Sequence, residues 1–250
     1  MSSTKNYAHF SPRDYLKEYY SDISDEYEDI FLSSFYHDAY SGVMDGSAVV
    51  EIGGGPTIYQ LISASRKASS ITFSDYKEEN LAEVKKWAEN SPDAFNWDDY
   101  FRLVLAVEGT AISPESLSSI KGRLRSRIKS IVPCNIFNEN PFAPLSLGQF
   151  DVVSTSFCPE SITDSEESFA GAMLNLFSQL KAGGTLIMTL IRNAKYYTVN
   201  GTKFSCFPID ELGIELFLKK HGFSEISVRS IPVSYDDGYD GLMGVTAVKR

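Results

Sequence analysis

Val49-Val50-Glu51-Ile52-Gly53-Gly54-Gly55-Pro56 decides the fold class, because a short apolar run broken by glycines is a buried strand entering a tight turn. Glycines at the carboxyl end of a first strand let a ligand approach the backbone, at the mouth where doubly wound sheets hold nucleotides. Ser70-Ile71-Thr72-Phe73-Ser74-Asp75 is the expected second strand, and Asp75 follows Gly55 by 20 residues. A carboxylate at that strand end accepts hydrogens from ribose hydroxyls, so the pattern suits an adenosine-containing ligand. In the G-x-G-x-x-G turn of dinucleotide enzymes a third glycine would fall at position 58, where this chain has Ile58 shortly after Pro56. A ligand without a pyrophosphate, such as S-adenosylmethionine, is therefore expected over NAD(P).

Outward from this turn the period keeps switching. Leu81, Val84 and Trp87 mark a helix face after the second strand, and a strand near 150–155, a helix near 165–180 and a strand near 185–191 follow further on. Residues 91–129 interrupt the rhythm with two helical patterns, the second carrying Leu117, Ile120, Leu124 and Ile128. Asn200-Gly201 between two β-prone arms signals a type I′ hairpin. A helix from Glu211 to Lys220 and strands near 224–233 and 241–248 finish the chain. Upstream, Ser11-Pro12-Arg13-Asp14 reads as an N-capped helix start leading into a tyrosine-rich helix. The expectation is one α/β domain over 1–250: a doubly wound, mostly parallel sheet with an antiparallel pair at its end, a helical cap over 1–45 and a helical insertion over 91–129.

The balance of 23 Lys+Arg against 33 Asp+Glu gives a net charge of −10, which disfavours nucleic-acid and anionic-membrane partners. No run approaches the ~20 apolar residues of a membrane span, and a cytoplasmic protein is expected. Cys134, Cys158 and Cys206 lack zinc or redox spacing, and His9, His37 and His221 stand far apart, so no metal is expected. The alternating run from Lys121 to Lys129 reads as a solvated helix face.

Longer motifs add a resemblance. His9-Phe10-Ser11-Pro12-Arg13-Asp14-Tyr15-Leu16-Lys17-Glu18-Tyr19-Tyr20, Glu51 to Leu61, Asp75-Tyr76 with Asn80, Ala94-Phe95-Asn96-Trp97, Ser154 to Cys158 and the Tyr196-Tyr197 hairpin resemble the nicotinamide, phenylethanolamine and indolethylamine N-methyltransferase family over nearly the whole chain. The resemblance implies a seven-stranded class I methyltransferase fold with an N-terminal helical lid, S-adenosylmethionine as cofactor with S-adenosylhomocysteine as product, and a small-molecule amine as acceptor. A monomer is expected, although the sequence does not itself name the oligomeric state. The resemblance further implies that Tyr15 and Tyr20 close over cofactor and substrate, that Gly53, Gly54, Gly55, Thr57 and Tyr59 hold the methionine part with Ser156 beside it, and that Asp75, Tyr76 and Asn80 take the ribose and adenine. Asn135-Ile136 stands where the family usually has an aspartate for the adenine amino group.

The departures bear on substrate. Leu190 falls where relatives commonly place a substrate-binding acid, whereas Phe157-Cys158-Pro159-Glu160 resembles the amine-binding members. Glu160 is the first expected proton acceptor and Asp237 the second, with Tyr20 beside them. Asp236, Asp237 and Asp240, with Tyr197, Leu190 and Cys206, complete the expected substrate pocket. A cationic amine with a second basic group, of the kind used in alkaloid biosynthesis, fits these acids, and a primary amine would accept two methyl groups in turn. The alternatives are a neutral heteroaromatic nitrogen or thioether acceptor, and a catalytically silent S-adenosylmethionine-binding protein. Both tyrosines and the full glycine turn favour an active enzyme.

Overall fold

The computed structural model describes residues 10–21, 23, 26–233 and 238–250. Helix α1 (Pro12–Tyr19) and helix α2 (Glu26–Ser41) precede β1 (Ser47–Ile52), and two 3-10 turns (Tyr59–Leu61 and Ser63–Arg66) lead to β2 (Ala68–Asp75). Three helices, α3 (Glu78–Ala88), α4 (Asp98–Val107) and α5 (Pro114–Arg127), fill the crossover to β3 (Ile128–Pro133). Then come β4 (Phe150–Ser156), α6 (Glu166–Ser178), β5 (Leu180–Arg192), the hairpin β6 (Tyr196–Val199) and β7 (Thr202–Ser205), α7 (Glu211–Lys220), β8 (Phe223–Pro232) and β9 (Gly241–Lys249).

Seven strands form one sheet in the order β3-β2-β1-β4-β5-β9-β8. The first five run parallel, and β9 inserts antiparallel between β5 and β8. The expected terminal antiparallel pair thus becomes a three-strand antiparallel edge. Because the chain steps outward from β1 to β3 and returns to β4, the crevice lies over the carboxyl ends of β1 and β4.

Strand alternation divides the core into two layers. Val49 and Ile187 join Tyr36, Phe73, Trp87, Phe101 and Leu124 on the face covered by α2, α4 and α5. Val50, Ile52, Leu186, Met188 and Leu190 join Phe169, Met173, Ile214 and Leu218 on the α6/α7 face. The Asn200-Gly201 turn has both residues at positive φ, 49° and 74°, as a type I′ turn demands.

Helix α1 begins as the sequence indicates, with Ser11 Oγ accepting the Asp14 amide and Pro12 in the first turn. It lies across the crevice, tied on one side to α3 and on the other to the hairpin. Arg13 pairs with Glu83 at 2.7 Å and donates to the Asp93 carbonyl, while Tyr19 OH donates to the Thr198 carbonyl and Glu18 accepts the Asn200 amide at 2.8 Å. Phe10, Val199 and Phe204 form a small core of their own, with Tyr15, Tyr19 and Tyr197 packed against it. Among the described residues no helix is long and apolar enough to cross a membrane.

Candidate active site

One cavity runs under α1 over the carboxyl ends of β1, β2, β4 and β5, and its floor is the glycine turn. The three glycines have different reasons to be glycine. A Cβ on Gly53 would meet Cys158 Sγ, and one on Gly54 would meet the Phe73 ring at 2.5 Å, so these two allow the turn to pack on the protein itself. Gly55, at φ +62°, has nothing within 4 Å of a Cβ and borders open cavity. Thr57 Oγ1 donates to the Gly54 carbonyl at 2.8 Å, and Gln60 Nε2 approaches Gly54 and Thr57 carbonyls and the Glu51 carboxyl. The turn is therefore held from below.

At one end of the cavity Asp75 is oriented by three N–H donors. Its Oδ1 accepts from the Lys77 amide and Asn80 Nδ2, both at 2.8 Å, and its Oδ2 accepts from the Gly55 amide at 2.8 Å. Burial nevertheless raises its pKa, with the three donors opposing. Asn80 Oδ1 is a buried acceptor with no hydrogen-bond partner among the described residues. Tyr76, more than half exposed, stands at the rim with Asn135, Ile136 and Phe137. Asn135 Oδ1 accepts the Phe137 amide at 3.0 Å, which leaves one lone pair and the amide N–H groups for other partners.

At the other end Tyr15 and Tyr20 place their hydroxyls 3.3 Å apart, and the Tyr20 ring lies 5.5 Å from those of Tyr59 and Trp97. Burial holds the Tyr15 hydroxyl up to about 12 and that of Tyr20 well above its usual range. Both stay protonated at neutral pH and act as hydrogen-bonding groups, not bases. Phe157, Ile191, Tyr197, Tyr239 and Leu242 line the remaining wall, with Glu28, Asp29 and Leu32 from α2.

The structure brings together Tyr15, Tyr20, Gly53, Gly54, Gly55, Thr57, Asp75, Tyr76, Asn80, Asn135, Ile136, Ser156 and Tyr197 around this one cavity. Other expected residues do not line it. Tyr59 sits beneath Tyr20, its hydroxyl 3.0 Å from Ser156 Oγ. Leu190 is fully buried in the α6/α7 layer, because β5 alternation turns Thr189 and Ile191 to the cavity face instead. Cys206 is buried behind the lining residues Ser161 and Tyr197 and does not itself border the cavity. Asp240 is exposed and already engaged, pairing with Arg192 at 2.7 Å and accepting from Asn193 at 3.0 Å. Asp236 and Asp237 lie outside the described residues.

Glu160 is fully buried just behind the wall formed by Cys158, Ser161 and Ile191. Its Oε1 accepts the Ile191 amide at 2.9 Å, Oε2 has no partner among the described residues, and burial raises its pKa to about 8. Glu51, under the glycine turn, is raised to about 7 by the same cause. Reasoning from sequence missed Glu28, Asp29 and Leu32. Their signal was the spacing 28, 29, 32, which puts all three on one side of a helix.

The donor set suits S-adenosylmethionine: a carboxylate and an orphan amide oxygen at one end, an open glycine in the middle and protonated phenols at the other. Among the described residues no cluster of metal-ligating side chains occurs.

The whole chain, residues 1–250, matches the model of the NNMT/PNMT/TEMT family. It is 31% identical over 252 residues to the nicotinamide N-methyltransferase of Homo sapiens, covering 97% of this chain and 94% of that protein. It is 29% identical over 249 residues to the phenylethanolamine N-methyltransferase of Sus scrofa, covering 96% and 87%. Solved structures of similar fold include a DhpI–SAH complex, with TM-score 0.59, 16% identity and coverage of 95% and 93%. Another is the magnesium protoporphyrin IX methyltransferase of Synechocystis with bound SAM, with TM-score 0.56, 14% identity and coverage of 98% and 94%. Sequence, fold and cavity agree: this chain belongs to the NNMT/PNMT/TEMT family and is an S-adenosylmethionine-dependent N-methyltransferase.

Proposed function

We propose that the acceptor is a small cationic amine, a primary alkylamine carrying a second basic group, which takes one or two methyl groups. One observation carries this. Among the described cavity-lining residues the charged side chains are Glu28, Asp29, Asp75 and Lys77, so the lining is net negative, and Asp29 lies beside Tyr100, whose ring is 5.9 Å from that of Tyr20. Opposite charge in a partly dry cleft selects cations. Relatives named for nicotinamide, indolethylamine and phenylethanolamine supply the reaction class.

When bound, S-adenosylmethionine supplies a methyl group activated on a sulfonium. The remaining ribose-accepting capacity of Asp75 Oδ2, with Asn80 Oδ1 beside it, would take the two ribose hydroxyl hydrogens. Tyr15 and Tyr20, carried on α1 as a lid, orient the methionine end and exclude water. An amine attacks only when neutral, so an ammonium substrate must first lose a proton. Glu160, behind the wall, is the group we assign to receive it, through a water: an arriving cation lowers its raised pKa and favours the carboxylate.

Mass spectrometry of diamines, guanidino-amines, simple amines and nicotinamide incubated with the protein and S-adenosylmethionine tests the proposal. Methylation confined to amines with a second basic group is expected. Efficient methylation of nicotinamide with none of any diamine or guanidino-amine would overturn the cationic assignment. It would favour a neutral heteroaromatic acceptor, for which the Phe157, Tyr197 and Tyr239 wall is the supporting observation.

A further inference from the structure

Four hydroxyls meet beside the glycine turn. Tyr36 reaches in from α2 and Tyr59 from the segment after β1, while Ser156 and Thr189 face each other in register on β4 and β5. Tyr36 OH donates to Ser156 Oγ at 3.1 Å and lies 3.0 Å from Thr189 Oγ1. Ser156 Oγ is 3.0 Å from Thr189 Oγ1 and 3.0 Å from Tyr59 OH.

A hydroxyl has one hydrogen and two lone pairs, and that count fixes every direction. The hydrogen of Tyr36 is spent on Ser156, so the Tyr36–Thr189 contact uses the hydrogen of Thr189. The Ser156–Thr189 contact then uses the hydrogen of Ser156, and only the hydrogen of Tyr59 remains for Tyr59–Ser156. The outcome is a one-way ring, Tyr36 to Ser156 to Thr189 and back to Tyr36, with Tyr59 donating into it from outside. Ser156 accepts two bonds and donates one. It borders the cavity, yet it retains no lone pair and no hydrogen for a ligand, contrary to a direct role beside the methionine end.

What the ring does hold is Tyr59. The Tyr59 ring lies 5.5 Å from Tyr20, whose hydroxyl is 3.3 Å from that of Tyr15 on α1. A buried set of hydroxyls with no task other than packing is replaceable by apolar groups at little cost, whereas a fully satisfied network fixes one orientation. We propose that Tyr36 is a positioning residue of the methyl-transfer site, acting through Ser156 on Tyr59 and so on the tyrosine pair at the methionine end of the cofactor. This rests on the placement of that end beside Tyr15 and Tyr20.

The test compares Y36F, S156A, T189V and the double variant Y36F/S156A by calorimetric Kd for S-adenosylhomocysteine and by steady-state kinetics, with thermal melts to confirm folding. Y36F should raise the KM for S-adenosylmethionine and the Kd for the product about threefold to tenfold, the range of one lost hydrogen bond. The kcat at saturating cofactor and the KM of the amine should stay within about twofold, a split that general loosening of the fold does not produce. The Tyr36 ring also meets the Tyr59 ring edge-on at 6.1 Å, a contact that Y36F keeps; the double variant should therefore bind no more weakly than S156A alone, because the lost Tyr36 hydroxyl reaches Tyr59 through Ser156. Wild-type affinity in Y36F with weakened binding in S156A would place Ser156 against the ligand and overturn the proposal, as would fully additive effects. T189V opens the same ring at its next bond and carries the same expectation if Y36F does not fold. A wild-type protein that binds no S-adenosylhomocysteine would instead overturn the cofactor placement, and the proposal with it.

Discussion

Replacing Gly53 and Gly55 by alanine, one at a time, separates the two uses of the glycine turn. Both residues have positive φ, +69° and +62°, so either alanine pays the left-handed backbone cost, about 1 to 2 kcal/mol. At Gly53 the new methyl would also overlap Cys158 Sγ and lie 2.9 Å from Cys158 Cβ. The turn is anchored there, with the Gly53 and Gly54 amides donating to the Ser74 carbonyl at 3.0 and 3.1 Å, so the clash is not relieved by a small shift. Overpacking of this kind costs about 1 to 3 kcal/mol more. For a chain of 250 residues each kcal/mol is about 2 to 4 °C in Tm, so Gly53→Ala should melt about 5 to 15 °C below wild type and Gly55→Ala only a few degrees below. Affinity should follow the opposite order among folded molecules. A methyl on Gly55 meets no protein atom and enters ligand space, which should weaken S-adenosylhomocysteine about tenfold or more. Differential scanning calorimetry and titration calorimetry on the two variants read both quantities. Equal melting temperatures, or a Gly55→Ala protein with undiminished affinity, would refute this division of labour.

Asp75→Ala should weaken S-adenosylhomocysteine by about 1.5 to 3 kcal/mol, since it removes a charged acceptor oriented by three N–H donors; unchanged affinity by calorimetry would sink the ribose assignment. Glu51 and Glu160 have native pKa values of about 7 and about 8 against a usual 4.5, so the folded state holds extra protons between these limits. Their contribution to stability is fully present below about pH 4.5 and is lost as pH rises to about 8, on the order of 3 kcal/mol or more per group. Urea midpoints at pH 5, 7 and 9 should therefore fall, and Glu160→Gln should flatten the decline; an identical slope in the variant contradicts the assignment. The three buried thiols, with Cys134 and Cys206 raised to about 12, should react with a disulfide reagent at pH 8 only after denaturation, and rapid labelling of the native protein would show that they are accessible.

The parts of the site legible in the sequence are those whose partners are close in sequence. The glycine turn, the strand-end Asp75 with Asn80 one helical turn beyond, the Ser11 cap and the Asn200-Gly201 hairpin each obey local geometry, and each is found where the residues indicate. Leu190 shows what local pattern leaves open. The run Leu186 to Ile191 is apolar on both faces of a central strand, so no alternation reveals which residues point to the crevice. Only the sheet order, which puts α6 and α7 behind β5, turns Leu190 into the core and Ile191 to the cavity. The acids were ambiguous for a related reason. Glu28 and Asp29 lie in the first turn of α2, where acids complement the helix dipole whatever they face, so nothing in the sequence beyond their shared helix side singles them out as cavity residues. Asp240, by contrast, looked available as a substrate anchor, yet Arg192 from β5 and its neighbour Asn193 already occupy its two oxygens. A carboxylate already paired with a guanidinium gains little from a second cation and offers it little field. If the acceptor is the cationic amine proposed above, the acids that border the cavity, Glu28 and Asp29 on α2, are the ones to meet it, whereas Asp240 does not border it; Glu28→Gln or Asp29→Asn should then raise the KM of a diamine while Asp240→Asn leaves it unchanged.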